Sequence, residues 1–256
     1  MNIFIDTHSH VDMGDFVENF SEMLAKCDEV GVKKVIIPGV NQEDTPRIIE
    51  LIEEYEQLYA LVGMHPEEAK KWNDTTYNYF KEVAKHPKVL GIGEIGLDYY
   101  WDKTYNDIQQ EVFIKQIELA KEINKPIVVH DRDAHADTLR ILKETNAKEI
   151  GVVLHCFSGS VEFLNECIKE GYYISLGGVT TFKNAIKPKE VAMAVPLDRL
   201  MLETDAPYMT PVPYRGKTNY PYYIPLIAEN IAKLRGISLE EVAKVTTDNA
   251  VSFFRF

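Results

Sequence analysis

The sequence predicts an α/β fold, a single (β/α)8 TIM barrel over residues 1–256 with an additional C-terminal helix. Three observations lead there. Apolar, β-rich runs alternate with helical patterns eight times, and no linker or low-complexity stretch interrupts them. The strand runs are apolar nearly throughout, as in Ile127-Val128-Val129 and Val152-Val153-Leu154, which marks strands covered on both faces. Histidines and carboxylates then fall at the C-terminal ends of those runs, where a β/α barrel carries its chemistry.

The eight expected strands span 3–6, 34–38, 59–64, 89–94, 127–130, 152–155, 172–176 and 200–203. Helical patterns occupy 16–30, 45–55, 76–85, 108–123, 134–145, 160–169 and 183–194 between them, and 223–235 and 238–254 after the last strand. Several helix starts carry capping residues: Asp74 before the third, Ser160 before the sixth, and Ser238 with Glu241 as a capping box. An open doubly wound sheet would usually show a glycine-rich phosphate loop after an early strand. Gly91-Ile92-Gly93-Glu94-Ile95-Gly96 has the spacing of a dinucleotide loop, but it lies in a strand and opens no helix.

Composition narrows the partners. The chain is 45% hydrophobic and 27% charged, as soluble globular proteins are. No apolar run approaches the roughly 20 residues of a membrane span, and no signal-type segment precedes the first strand. Cys27, Cys156 and Cys167 show no CxxC pairing and read as reduced thiols of a cytoplasmic protein. A net charge of −12 argues against coating long duplexes, since backbone-tracking proteins carry basic surface. It leaves room for a phosphate in a small site where metal ions supply the positive charge. No obligate protein partner is legible, and neither is an oligomeric state.

The strand ends supply a ligand set. The first gives His8 and His10, the third His65, the fourth Glu94, the fifth His130 with Arg132, the sixth His155 and the eighth Asp205. Five of the seven histidines fall there. The interval from His10 to Asp205, divided over seven repeats, is about 28 residues, an ordinary β/α length. Nitrogen and oxygen donors in this mixture suit Zn, Mn or, less comfortably, Mg. Strand alternation puts Asp6 on the face of His8 and His10, one step deeper, as an outer partner of the ligands. A lone HxH is common on surfaces, and His130 or His155 alone would read as a core histidine; a strand-end set argues otherwise. Glu94 ends an apolar strand and must be paired or metal-bound if buried. Glu203 shares the parity of Asp205 and reads as a satisfied interior carboxylate. His135 falls in the first turn of the fifth helix, and His86 lies at the opposite end of its strand.

At this level of detail the chain resembles the TatD family of metal-dependent hydrolases, within the amidohydrolase-like barrels. The matching blocks run from end to end: Asp6-Thr7-His8-Ser9-His10, Gly63-Met64-His65-Pro66, Gly93-Glu94-Ile95-Gly96-Leu97-Asp98-Tyr99, His130-Asp131-Arg132-Asp133-Ala134, His155-Cys156-Phe157-Ser158-Gly159 and Glu203-Thr204-Asp205-Ala206-Pro207. The stretch Pro211-Val212-Pro213-Tyr214-Arg215-Gly216-Lys217-Thr218-Asn219 fits as well. Glu67 departs from the pattern, where relatives often carry His or Asn. The resemblance implies two divalent metal ions per chain: His8, His10 and Asp205 on one, His130 and His155 on the other, and Glu94 bridging them. Glu94 stands where related barrels use a carboxylated lysine, so assembly should need no bicarbonate.

The expected reaction is hydrolysis of a phosphodiester, with single-stranded or frayed DNA ends as the substrate class, by a water that the two ions acidify. Asp205 would orient that water and accept its proton. Arg132, His65 and Arg215 are the expected phosphate contacts, and Tyr99, Tyr100 and Trp101 stand where they could stack a terminal base or simply pack. The competing reading is a metallohydrolase of a carbonyl substrate, a small amide, ester, lactone or aminoacyl ester. A metal-dependent scaffold is disfavoured, because the ligand set leaves open coordination positions on a loop-lined face.

Overall fold

A computed structural model of the protein describes every residue except Met1, Gly14, Asp15, Val17 and Glu18. The eight strands are β1 (Phe4–Asp6), β2 (Val32–Ile37), β3 (Leu58–Val62), β4 (Val89–Asp98), β5 (Ile127–Arg132), β6 (Val152–Leu154), β7 (Tyr173–Leu176) and β8 (Leu200–Leu202). They form one parallel sheet in chain order, β1 to β8. β8 meets β1 through single bonds: Thr7 N–H donates to Leu202 O, and Asp205 N–H to His8 O. The result is the nearly closed barrel expected from the alternating pattern.

The helices are α1 (Phe20–Glu29), α2 (Thr45–Glu54), α3 (Asp74–Val83), α4 (Asn106–Glu122), α5 (His135–Glu144), α6 (Val161–Lys169), α7 (Ile186–Ala194), α8 (Ile224–Arg235) and α9 (Leu239–Phe254). The start of the first expected helix lies partly outside the described residues; α1 spans Phe20–Glu29. Ser160 and Ser238 cap α6 and α9 as anticipated, accepting from Phe163 N–H and Glu241 N–H. The cap of α3 is Asn73 and not Asp74. Asn73 holds an extended backbone and its Oδ1 accepts from both Thr75 and Thr76 N–H, which leaves Asp74 inside the first turn, where its charge still complements the helix dipole.

The apolar side chains divide into two layers. The larger lies between strands and helices and includes Val35, Ile92, Ile127, Ile48 and Ile231. The smaller fills the barrel axis with Ile5, Ile36, Leu61, Leu90, Val128, Val153 and Met201, one from nearly every strand. Ala250, Phe253 and Phe254 of α9 join that inner layer. The additional C-terminal helix therefore stoppers the barrel beneath its core and leaves the opposite mouth for chemistry.

β4 differs from expectation. It continues four residues past Glu94, and Gly96, Leu97 and Asp98 pair with His130, Asp131 and Arg132 of β5. The register shifts between Ile92 and Ile95, a bulge of the kind that re-aims a side chain beside an active site. Gly96 makes the extension feasible. Its φ is +142°, and a Cβ there would lie 2.0 Å from His130 O.

Candidate metal centre

Glu94 lies at the centre of the open mouth, 3% exposed and reached by five imidazoles. Its two oxygens divide them. Oε2 is 3.2 Å from His8 Nε2 and 3.5 Å from His10 Nε2. Oε1 is 2.7 Å from His130 Nδ1, 2.8 Å from His155 Nε2 and 3.5 Å from His65 Nε2. Asp205 completes the first group, its Oδ1 3.6 Å from His10 Nε2 and 3.9 Å from His8 Nε2. The rings of His8 and His155 stack nearly parallel, with centroids 3.8 Å apart. A cavity of about 600 Å³ opens above, lined by His10, His65, Glu94, His155, Asp205 and neighbours from the surrounding loops.

The local backbone explains how these side chains converge. β1 ends at Asp6, so strand alternation does not carry through to His8 and His10. Ser9 N–H bonds Ile36 O and His10 N–H bonds Ala206 O, which pins the segment against β2 and the loop after β8. Asp205 and Cys156 both hold left-handed backbone, at φ +53° and +43°, conformations that cost free energy for residues other than glycine. Asn219 fixes the Asp205 loop from beneath, its Nδ2 donating to Thr204 O and Tyr208 O.

Burial and neighbouring charge set the protonation states. Burial opposes ionisation of Glu94, but His155, His8 and His65 outweigh it and hold the carboxyl well below its usual range. Burial, reinforced by the charge of His155, brings His8 down to about 4. Burial raises Asp205 to about 6. For His130 burial is overcome by hydrogen bonds to Asp98 and Glu94, which lift it to about 9. Ionised Glu94 beside neutral His8 is a donor pair for a divalent cation, whereas His10, His130 and His155, held up by the neighbouring carboxylates, would release protons as a cation binds. Three sets of donor atoms, His8–His10–Glu94, His8–His155–Asp205 and His65–Glu94–His130, each fall within 4.8 Å of one another. The residues present thus fit metal ions.

The other expected residues are placed less uniformly. Asp6 is buried but turns to β8: its Oδ1 accepts from Thr204 N–H and His8 N–H, and its Oδ2 from the Thr204 hydroxyl. It supports the His8 backbone and touches neither imidazole ring. His65 reaches the cluster itself, and its Nδ1 accepts from Glu67 N–H. Arg132 lines the cavity, its guanidinium 3.9 Å from the centre of the Tyr100 ring. Arg215 is exposed, stacked on Phe182 at 3.6 Å, and is not among the cavity's lining residues. His135 opens α5 and bonds Asp131 at 2.8 Å. Tyr99 packs away from the cavity, bonded to Asp137 and Gln110. Glu203 is fully buried, accepting from Cys156 N–H and standing 3.8 Å from His155 Nδ1.

Asp98 stands outside the expected ligand set yet reaches it. It is 2% exposed, its Oδ2 lies 2.9 Å from His130 Nε2, and its Oδ1 accepts from Tyr100 N–H. Gln109 of α4 secures it by bonding both its backbone N–H and its C=O. His130 is thereby held from both ring nitrogens. The signal was parity: Asp98 stands four residues past Glu94, on the same face of a strand that continues.

A parallel barrel with a carboxylate ringed by imidazoles at its C-terminal mouth is the arrangement of a metal-dependent hydrolase. Comparison with known proteins sharpens the class. Residues 5–255 match the family described as TatD related DNase, and the chain belongs to that family. It is 45% identical over 253 residues to the uncharacterized metal-dependent hydrolase YabD of Bacillus subtilis, covering 99% of both chains. It is 38% identical to the uncharacterized metal-dependent hydrolase YcfH of Escherichia coli, covering 98% of this chain and 95% of that one. The crystal structure of YjjV, a TatD homologue from Escherichia coli, superposes with a TM-score of 0.94 at 32% identity, covering 99% and 98% of the two chains.

Proposed function

We propose that the protein is a deoxyribonuclease that hydrolyses phosphodiester bonds at single-stranded or frayed DNA ends, with two divalent cations in the mouth of the barrel. His8, His10 and Asp205 would hold one, His130 and His155 the other, and Glu94 would lie between them. The observation that carries this reading is the division of Glu94, with Oε2 facing His8 and His10 after β1 and Oε1 facing His130 of β5 and His155 after β6. A carboxylate that offers one oxygen to each of two donor groups is built to be shared. When bound, such ions neutralise phosphoryl charge and acidify an attacking water. Zn, Mn and Mg all accept donors of this kind, with the imidazole content favouring the first two.

The chain's own residues do the rest. Asp205, its Oδ1 3.6 Å from His10 Nε2 at the edge of the cluster, would orient that water and take its proton. Arg132 and His65 meet the phosphate from the cavity wall. Arg215, outside the cavity, is left without that role. The acidic surface supports action at strand ends over binding along a duplex. No helix among the described residues is long and apolar enough to cross a membrane. Three unpaired cysteines support a cytoplasmic location.

Chelator-stripped protein reloaded with Zn, Mn or Mg should recover cleavage of end-labelled single strands, with two equivalents of metal bound per chain. Glu94→Ala should lose metal and turnover together. Full nuclease activity of that variant in chelator would refute the proposal. Turnover of esters, lactones or amides far above any nucleotide would replace it with the carbonyl reading.

A further inference from the structure

In a barrel ordered β1 to β8, the loops that follow β4 and β8 stand on opposite walls of the mouth. Each presents one large, exposed aromatic side chain to the same cavity: Trp101 after β4, 65% exposed, and Tyr208 after β8, 55% exposed. The Glu94 cluster lies between them on the floor. Neither ring is consumed by packing in the way its neighbours are. Tyr99 is tied to α4 and α5 through Gln110 and Asp137. Tyr100 carries the Arg132 guanidinium on its face at 3.9 Å and meets Trp101 edge-on, centroids 4.8 Å apart. The same guanidinium lies 5.3 Å from the centre of the Trp101 ring, whose outer part stays open. Tyr208 meets the His10 ring only at 6.3 Å, edge-on. Its backbone is fixed by Asn219, so the ring is presented from an ordered loop.

We infer that Trp101 and Tyr208 are specificity-determining stacking platforms for the two nucleobases on either side of the scissile phosphate. This deepens the nuclease reading and rests on it. Arg132 contributes beside Trp101. No protein acceptor among the described residues takes its guanidinium N–H groups, so with one face on Tyr100 its edge stays open to a phosphate oxygen. The arrangement selects a phosphodiester linking two nucleosides. A phosphate with an aromatic base on only one side engages one wall, and a base-free diester engages neither. Stacking on an aromatic side chain has no preference for base identity, so cleavage should be sequence-tolerant while requiring bases.

The test pairs each variant with a matching lesion in the substrate. Single-stranded oligonucleotides carry one abasic nucleotide, placed either 5′ or 3′ of the scissile bond, and kcat/KM is measured for wild type, Trp101→Ala and Tyr208→Ala. On the intact strand each variant should lose about 10-fold. On the strand that lacks the base facing the deleted ring, the same variant should lose nothing further. The two variants should be silent on opposite lesions. Trp101 fluorescence in a Trp72→Phe background gives a readout independent of turnover: an intact oligonucleotide should quench it in chelator, and one abasic opposite that wall should not.

Cleavage of DNA with equal losses on intact and abasic strands would overturn the inference and leave the nuclease reading standing. Quenching without cleavage under any metal would overturn the nuclease reading and, with no scissile bond, the inference that rests on it, leaving only a base-binding face. An absence of both would overturn the two together.

Discussion

Asp98→Asn isolates one oxygen-to-nitrogen exchange beside the proposed metal centre. Asp98 Oδ1 accepts from Tyr100 N–H, so the asparagine is obliged to keep its oxygen there and turn its amide nitrogen towards His130 Nε2. An amide N–H2 cannot accept a proton. To bind a cation His130 must give up one of its two protons, and facing the amide it keeps the one on Nδ1, the atom 2.7 Å from Glu94 Oε1, so the lone pair offered to a cation is lost. Removing such an orienting partner costs about 10- to 100-fold in metal affinity, which corresponds to about 1.4–2.7 kcal/mol. Calorimetric titration of the stripped protein with Zn or Mn should show the loss confined to one of two equivalents, the one on the His130 side. The far-ultraviolet spectrum should stay unchanged, because Gln109 holds the residue through its backbone alone. Wild-type affinity at both equivalents would refute the argument that Asp98 sets the His130 tautomer.

Three further outcomes follow from the same geometry. Metal at 100-fold excess over its dissociation constant should raise the melting temperature by roughly 5–10 °C, read by calorimetry, because only the folded mouth assembles the ligands. Asn219→Ala leaves the carbonyls of Thr204 and Tyr208 without their donor; it should cost about 2 kcal/mol or more and lower the melting temperature by roughly 4–8 °C. Gly96→Ala drives a methyl group into His130 O and should destabilise by at least about 3 kcal/mol. Its metal uptake should fall with it in the soluble fraction, whereas Gly171→Ala, with open space around its Cβ, should keep its metal.

The barrel was legible because its signals are local. Runs such as Val152-Val153-Leu154 can be recognised without knowing what covers them, and His130, His155 and Glu94 announce themselves by ending such runs. What escaped reading depends on a neighbour distant in the chain. The expected strand stops at Glu94, because its continuation through Gly96 depends on a β5 carbonyl that leaves no room for a side chain there. Asp98 then passes for loop, and its hold on His130 is hidden. The approach of His65 to Glu94 and the withdrawal of Arg215 onto Phe182 are set by loop paths that no periodicity encodes. Asp6 shows the limit of alternation itself, since β1 stops at the residue where the parity argument would have to begin.

The seam between β8 and β1 has a consequence for the order in which the protein comes into being. Thr7 N–H reaches Leu202 O and Asp6 reaches Thr204, contacts between residues 195 and 198 positions apart. His8 and His10 are made long before Asp205, which joins them only after all eight strands have been synthesised and the ring has shut. Such distant contacts form late in folding. A growing or misfolded chain therefore holds an incomplete ligand set, and hydrolytic capacity arrives as the last property the polypeptide acquires.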